Sequence, residues 1–267
     1  MVPAPEPQKH AVTREISTHA FVVRTRPHGE SDRLVTFITE EHGKLTGIAK
    51  GARNSRRRFA GTLEPFVHVR AVFQVRPHSD LVFLHRSELV AALWTFTTDL
   101  ARYVAGSYVL ELADRMVLGR ESGGDVYRLV REALEDIDRG GASDAVLGVY
   151  ELRLLAASGY EPSLDACRRC GRRADGTTSL YLVPERGGFL CRPCVPPGEI
   201  VRPVMGATAR GLAALAAITF EEARRGDAPT AEMRAVTEAL LAAVTNGPLR
   251  SRAFLSLGRV DSPTAHR

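Results

Sequence analysis

The stretch "PFVHVRAVFQV", residues 65–75, decides how the first third of the chain reads. Val67, Val69, Ala71, Phe73 and Val75 fall on one side of an extended chain. His68, Arg70 and Gln74, with Arg76 just beyond, fall on the other, and Val72 is the one exception. Side chains alternate across a strand, so the pattern predicts a sheet with one buried face. Four neighbours read as strands too: "HAFVVRTR" (19–26), "DRLVTFIT" (32–39), "KLTGIAK" (44–50) and "DLVFLHR" (80–86). Turn-rich breaks, "PHGES", "EEHG" and "RPHS", separate them, along with one longer basic segment. Five short strands with no helical period between them predict a small barrel. An OB-fold is the commonest five-stranded choice, and an SH3-like barrel also fits the pattern.

The basic segment lies in "AKGARNSRRRFAGTLEPF", residues 49–66, and holds Lys50, Arg53, Arg56, Arg57 and Arg58 with no acid among them. Five like charges repel one another, and folding alone gives no reason to gather them. A polyanion is one reading, and a solvated loop is the other. A groove that follows a sugar–phosphate chain needs cations along its length and a flat ring for base stacking. Lys44, Lys50, Arg53, Arg56, Arg57 and Arg58 are the candidate contacts, with Arg70 and Arg76 on the outer strand face as second choices. Phe59 adjoins the run and reads either as that ring or as a plug anchoring the loop to the barrel. Phe66 and Phe73 read as core.

After Leu89 the period changes to that of helices. Trp94–Leu118 reads as one long helix with Gly119 as its C-cap. In the next, Val126, Leu129, Val130, Ala133, Leu134 and Ile137 line one face, opposite Arg128, Arg131, Glu132, Glu135 and Asp136. "RGGAS" ends it, and Ser143 or Asp144 can cap the next helix. Residues 145–157 are apolar nearly all round and belong in the middle of a helical domain. Residues 206–219 and 229–245 read as two more helices, and "AFLSL" as a short closing piece. Helical segments flank residues 160–205 on both sides, so that segment reads as an insert.

The insert holds all four cysteines, Cys167, Cys170, Cys191 and Cys194, spaced C-x2-C-x20-C-x2-C. Each C-x-x-C aims two thiolates at one point, and two such turns complete a tetrahedron around Zn²⁺. Gly171 suits the sharp turn of a knuckle. "SLYLVPERGGFLC" reads as a hairpin turning near Gly187 and Gly188, the body of a zinc ribbon. Disulfides fit a cytoplasmic chain poorly, and a redox dithiol needs only one pair. Four thiolates close the site, which makes the single ion structural. Arg168, Arg169, Arg172 and Arg173 offset the negative charge of such a centre or touch phosphate.

Composition agrees with a folded protein of one to three domains: 267 residues, 44% hydrophobic, 25% charged, net charge +5. The charge is uneven. Residues 1–100 carry 14 Lys and Arg against 10 Asp and Glu, whereas residues 101–165 carry 7 against 12. The proline-rich start, "MVPAPEPQKHAV", lacks the apolar stretch of a signal peptide, and no run of 18 apolar residues occurs. The expectation is a cytoplasmic, nucleoid-associated chain with residues 1–12 disordered. No phosphate-binding loop, Rossmann glycine run or His-Glu-x-x-His appears, and metal ligation leaves no thiol as a nucleophile. The cluster His28, Glu30, Ser31 and Asp32 sits where a hairpin turn is expected. Adjacent carboxylates such as Glu40–Glu41 and Glu221–Glu222 diverge. The chain reads as a binding protein and not an enzyme.

"ESDRLVTFITEEHGKLTGIAKGARNSRRRFAGTLEPF" resembles the N-terminal signature of the RecO recombination mediators. The likeness rests on Gly43-Lys44, on Ala49 to Arg53, and on the run Phe59-Ala60-Gly61-Thr62-Leu63-Glu64-Pro65-Phe66. It extends to the order of barrel, helices and four-cysteine insert, over about residues 14–258. The resemblance implies an α+β multidomain protein: a disordered segment 1–12, an OB-fold at 13–90, a helical domain at 91–160 and 206–258, and a zinc ribbon at 161–205. It also implies a mediator of DNA repair and homologous recombination that binds single- and double-stranded DNA and anneals strands. Its implied partners are RecR, the acidic C-terminal tail of single-strand-binding protein and, functionally, RecA. Two other readings remain: a protein-interaction adaptor without DNA contact, and a nucleic-acid enzyme with dispersed residues.

Overall fold

A computed structural model describes residues 14–75, 79–119, 124–174, 179–199, 201–245 and 247–255 of the chain. The expectations for residues 1–12 and for Arg76 fall outside the described residues. The chain divides into two compact units, one ending at Ala92 and the other starting at Leu93.

Five strands make up the first unit: β1 (Arg14–His28), β2 (Asp32–Thr39), β3 (Gly43–Ala49), β4 (Val67–Val75) and β5 (Leu81–Ala92). They close a barrel in the order β1-β2-β3-β5-β4, the OB arrangement. One long strand serves two neighbours. The first half of β1 pairs with β4 and the second half with β2, and the register shifts between Val22 and Arg24. Such a bulge bends a strand around a barrel corner. β3 meets β5 in parallel, Thr46–Ile48 against Leu81–Phe83, and this pairing closes the barrel.

The predicted inner face of β4 is the core. Val67, Val69, Ala71 and Phe73 are buried together with Val22, Val35, Phe37, Leu45, Val82 and Leu84. Phe37 and Phe73 meet edge to face at 5.3 Å. The outer face of β4 departs from expectation. His68 and Val72 are buried, and His68 stacks on Phe21 with 4.7 Å between ring centroids. Of the outward residues on this strand, Arg70 is exposed.

The second unit begins with two helices where the sequence predicts one: α1 (Thr95–Thr98) and α2 (Leu100–Met116). Asp99 separates them. Its backbone is extended, and its carboxylate accepts from the Arg102 N–H as an N-cap. α2 ends at Met116, and Val117 turns out of the helix, so Gly119 is not its C-cap. α3 (Gly124–Gly140) buries the predicted apolar stripe. Ser143 caps α4 (Asp144–Ala157) by accepting from Val146 N–H at 3.2 Å, and α4 is buried on nearly every side.

The chain then makes a three-stranded sheet, ordered β7-β6-β8, from β6 (Leu180–Val183), β7 (Gly188–Leu190) and β8 (Arg202–Val204). Three helices follow: α5 (Gly206–Ala217), α6 (Phe220–Arg225) and α7 (Ala231–Val244). α6 is absent from the sequence reading. Thr219 and Glu222 build a capping box that starts it, two residues after α5 ends. The segment predicted as "AFLSL" contributes a single 3-10 turn, Ser251–Phe254. The carboxylate of Glu111 on α2 accepts from the N–H groups of Arg250 and Ser251 and from the Ser251 hydroxyl, which ties this turn to the helices.

Candidate nucleic-acid interface and metal centre

The basic segment between β3 and β4 is pinned to the barrel at both ends. It leaves β3 through Gly51, whose φ of 64° lies in the left-handed region that glycine tolerates best. The Gly51 N–H donates to the Asp32 carboxylate at 2.8 Å. That bond, and then the Ser31 hydroxyl, hold the Asp32 carboxyl below its ordinary value. A 3-10 turn follows at Ala52–Asn54. The Arg53 N–H donates to the Ser31 carbonyl at 3.0 Å, and its guanidinium donates to the Glu30 carbonyl at 2.9 Å.

At the far end Arg58 folds back. Its guanidinium donates to the Lys50 carbonyl at 2.7 Å and lies 4.8 Å from the centroid of the Phe59 ring. The Ser87 N–H on β5 donates to the Arg58 carbonyl at 3.0 Å. Ala52, Phe59 and Leu63 belong to the barrel core, and Phe59 is 4% exposed. Phe59 is therefore the plug and not a stacking ring. Phe73 is core as predicted; Phe66 is also buried, at an unusual positive φ of 65°.

The candidate cations are only partly brought together. Lys50, Arg53, Arg56, Arg57 and Arg58 are all exposed on the one loop. Two of the five, Arg53 and Arg58, spend guanidinium donors on backbone carbonyls of the loop and its base. Arg56 and Arg57 make no hydrogen bond or ion pair among the described residues. Lys44 sits at the opposite end of β3 from Lys50, roughly 20 Å away at strand rise. Arg70 lies on β4 in a cross-strand row with His19 and Glu88, and its Nε donates to the Ser17 hydroxyl at 3.3 Å. The sequence reading puts Asp32 at the head of a strand and in a polar turn cluster but gives it no part in the basic loop. No local signal links it to Gly51, and only the β2–β3 pairing brings the two together.

The four cysteines converge. Their sulfur atoms lie within 4.8 Å of one another, and Cys170 Sγ is 3.6 Å from Cys191 Sγ. Backbone turns set each pair: Gly171 N–H donates to the Cys167 carbonyl, and Cys194 N–H to the Cys191 carbonyl, both at 2.8 Å. Burial resists charge on Cys167, but backbone N–H groups of Cys191, Cys170 and Arg169 outweigh it and hold that thiol down to about 6. The shared hydrogen bond with Cys191 pushes the Cys194 thiol up to about 12. Four thiols this close cannot all ionise without a cation among them, and four sulfur donors suit a soft or borderline metal ion. These residues fit a closed metal site.

The hairpin between the pairs turns where predicted. Gly187 has φ 68° and Gly188 φ 135°, and a Cβ at 188 would lie 2.5 Å from the Ser163 carbonyl oxygen. Among the nearby arginines, Arg168 donates to the carbonyls of Glu161 and Gly187 at 3.1 and 3.4 Å. Arg173 faces Asp165 at 4.0 Å. Arg169 and Arg172 make no side-chain contact of this kind among the described residues.

Comparison with known proteins covers both units. A family model described as the N-terminal part of Recombination protein O matches residues 13–93, and one for its C-terminal part matches residues 97–253. A protein named DNA repair protein RecO from Geobacter sulfurreducens is 35% identical over 248 residues, covering 90% of this chain and 97% of the relative. One of the same name from Anaeromyxobacter sp. is 38% identical over 185 residues, 69% of this chain and 72% of the relative. Another from Syntrophus aciditrophicus is 32% identical over 210 residues, 78% and 81% of the two chains. Matched by these two models along both units and by a relative over nine tenths of its length, the chain belongs to the RecO family.

Proposed function

We propose that this chain is a non-enzymatic DNA repair and recombination mediator whose barrel loop grips the sugar–phosphate chain. The observation that carries this reading is Arg56 and Arg57: exposed, without an acidic partner among the described residues, and presented by a loop fastened at both ends. A fixed loop lets its cations meet phosphates without first losing much conformational freedom. Lys50, Arg53 and Arg58 add charge beside them, and Lys44, Arg70 and Arg76 extend the proposed contact set. Arginine–phosphate contacts position a strand without reading its sequence, so single- and double-stranded DNA both suit such a loop.

Annealing follows if bound strands have their mutual repulsion lowered, and RecR, RecA and the acidic tail of single-strand-binding protein are the partners this reading supplies. The cysteine ion is zinc in this proposal, holding the ribbon of residues 161–205 as a structural module of the second unit. The setting is cytoplasmic; no helix among the described residues is long and apolar enough to cross a membrane.

A salt titration of oligonucleotide binding tests the loop. Arg56→Ala/Arg57→Ala removes two cations that fasten nothing. The slope of log K against log[salt] on single strands should become shallower by about 1.4, at roughly 0.7 per lost contact. An unchanged slope and affinity would take the loop out of the interface and favour the adaptor reading.

A further inference from the structure

An acid stands at the root of the basic loop. Residues 49–63 hold no carboxylate of their own, yet Asp32, at the head of β2, accepts from the first backbone N–H beyond Lys50. A negative charge beside cations that meet phosphate repels the ligand and weakens binding. Its place there calls for a role that outweighs the repulsion.

The hydrogen bonds supply one. The turn between β1 and β2 holds the start of the loop at three successive residues. The Glu30 carbonyl accepts from the Arg53 guanidinium at 2.9 Å, the Ser31 carbonyl from the Arg53 N–H at 3.0 Å, and the Asp32 carboxylate from the Gly51 N–H at 2.8 Å. Farther along the same hairpin, the Thr25 hydroxyl donates to the Leu63 carbonyl, and Arg33 pairs with Glu64 at 2.6 Å. The hairpin thus holds the segment near both of its ends. Gly51 is where the chain leaves β3, at a φ of 64°. A Cβ there would lie 3.7 Å from the guanidinium of Arg58, which folds back onto the Lys50 carbonyl. The direction taken at Gly51 therefore sets where Arg53 to Arg58 stand. The Ser31 hydroxyl donates at 2.9 Å to the same Asp32 oxygen that meets Gly51, and so fixes the carboxylate in turn.

We infer that Asp32 is the positioning residue of the basic loop: by holding the Gly51 N–H it sets the cations from Lys50 to Arg58 in place for phosphate, despite its own charge. The inference rests on the proposed DNA contact of this loop and names the residue that orders it. The rival role is electrostatic. Asp32 lies close enough to Lys50 to attract it, and a carboxylate with that role alone would only offset one cation.

Three variants separate the roles. Asp32→Asn keeps an accepting Oδ1 and loses the charge. Asp32→Glu keeps the charge and displaces the oxygen by one methylene. Asp32→Ala loses both. Binding of labelled oligo-dT is measured for each across a salt series. Positioning gives Asp32→Asn an affinity equal to wild type or about twofold tighter, because one repulsion is gone. Asp32→Glu and Asp32→Ala should bind about tenfold more weakly, the scale of ordering one or two further long side chains on binding. Their salt slope should stay at the wild-type value, because every cation remains. Amide hydrogen exchange of residues 51–58 should quicken in these two variants and not in Asp32→Asn. A charge-only role gives the opposite order: Asp32→Glu like wild type, with Asp32→Ala and Asp32→Asn equally tight. That order, or equal affinity of all four proteins, would overturn the assignment. Should Asp32→Ala fail to fold, the contrast between Asp32→Asn and Asp32→Glu decides alone. The two readings fail separately. If Arg56→Ala/Arg57→Ala flattens the salt slope while Asp32→Glu binds like wild type, the loop stands and the role of Asp32 falls. If the arginine pair is inert, the DNA-gripping loop itself falls.

Discussion

The basic loop and the cysteine ribbon are both arginine-rich excursions from a larger framework, yet they are held by different means. The loop borrows order from the barrel: Phe59 enters its core, and Asp32 and the Lys50 and Glu30 carbonyls fasten its backbone and arginines. The ribbon has three short strands, a backbone bond from the Arg168 N–H to the Phe189 carbonyl, and four sulfur atoms that converge within 4.8 Å of one another. The loop needs nothing but the chain. The ribbon is built around a site for an ion. A segment can therefore be tied down by neighbouring core or by a ligand, and the two modes should fail differently.

The largest expected effect separates them outright. Cys170→Ser, or a strong chelator, should release the metal and open residues 161–205 to limited proteolysis while the barrel stays resistant. The scale is that of structural zinc sites, about 10–16 kcal/mol of apparent binding free energy. Metal analysis and mapping of the first cleavage sites check this, and a ribbon that stays closed without metal would remove the contrast. Next comes the loop's own anchor. Phe59→Ala should destabilise the barrel by about 3–5 kcal/mol in denaturant unfolding, the usual cost of emptying an aromatic core site, with metal content unchanged.

A smaller effect depends on pH. The Asp32 pKa is lower in the folded protein than its ordinary value of 3.8, first through the Gly51 N–H and then through the Ser31 hydroxyl. A depressed folded value means that its stabilisation is complete above the unfolded value and is lost as the pH falls through the folded one. The stability difference between wild type and Asp32→Asn should therefore be present at neutral pH and shrink at pH values below 3.8. The smallest effect belongs to Arg56→Ala/Arg57→Ala, whose unfolding free energy should stay within about 0.5 kcal/mol of wild type, because neither side chain fastens anything.

Much of this was legible locally. The alternation of β4 and the turn residues between strands predicted the barrel, since a period of two is written in consecutive residues. The paired C-x-x-C turns predicted the convergence of four sulfurs for the same reason. The misreadings are of two kinds. At Asp99 and Thr219 a capping side chain breaks what the apolar period alone runs together, and the signal was present but outvoted by hydrophobicity. The ring nearest the basic loop is a different case. Sequence left Phe59 open between a stacking ring and a plug, and the structure makes it the plug, whereas the ring beside Lys50 is Phe83, 33 positions along the chain from it. The parallel pairing of β3 with β5 creates that proximity, and no window of sequence contains it.

The closed order β1-β2-β3-β5-β4 carries a last consequence. A sheet rolled shut keeps little continuous edge: apart from short stretches such as Arg14–Thr18, which pair with β4 alone, a strand added by another polypeptide finds few free amides along it. Association with the barrel then relies mainly on its outward side chains, which leaves affinity there adjustable one residue at a time and limits edge-templated aggregation.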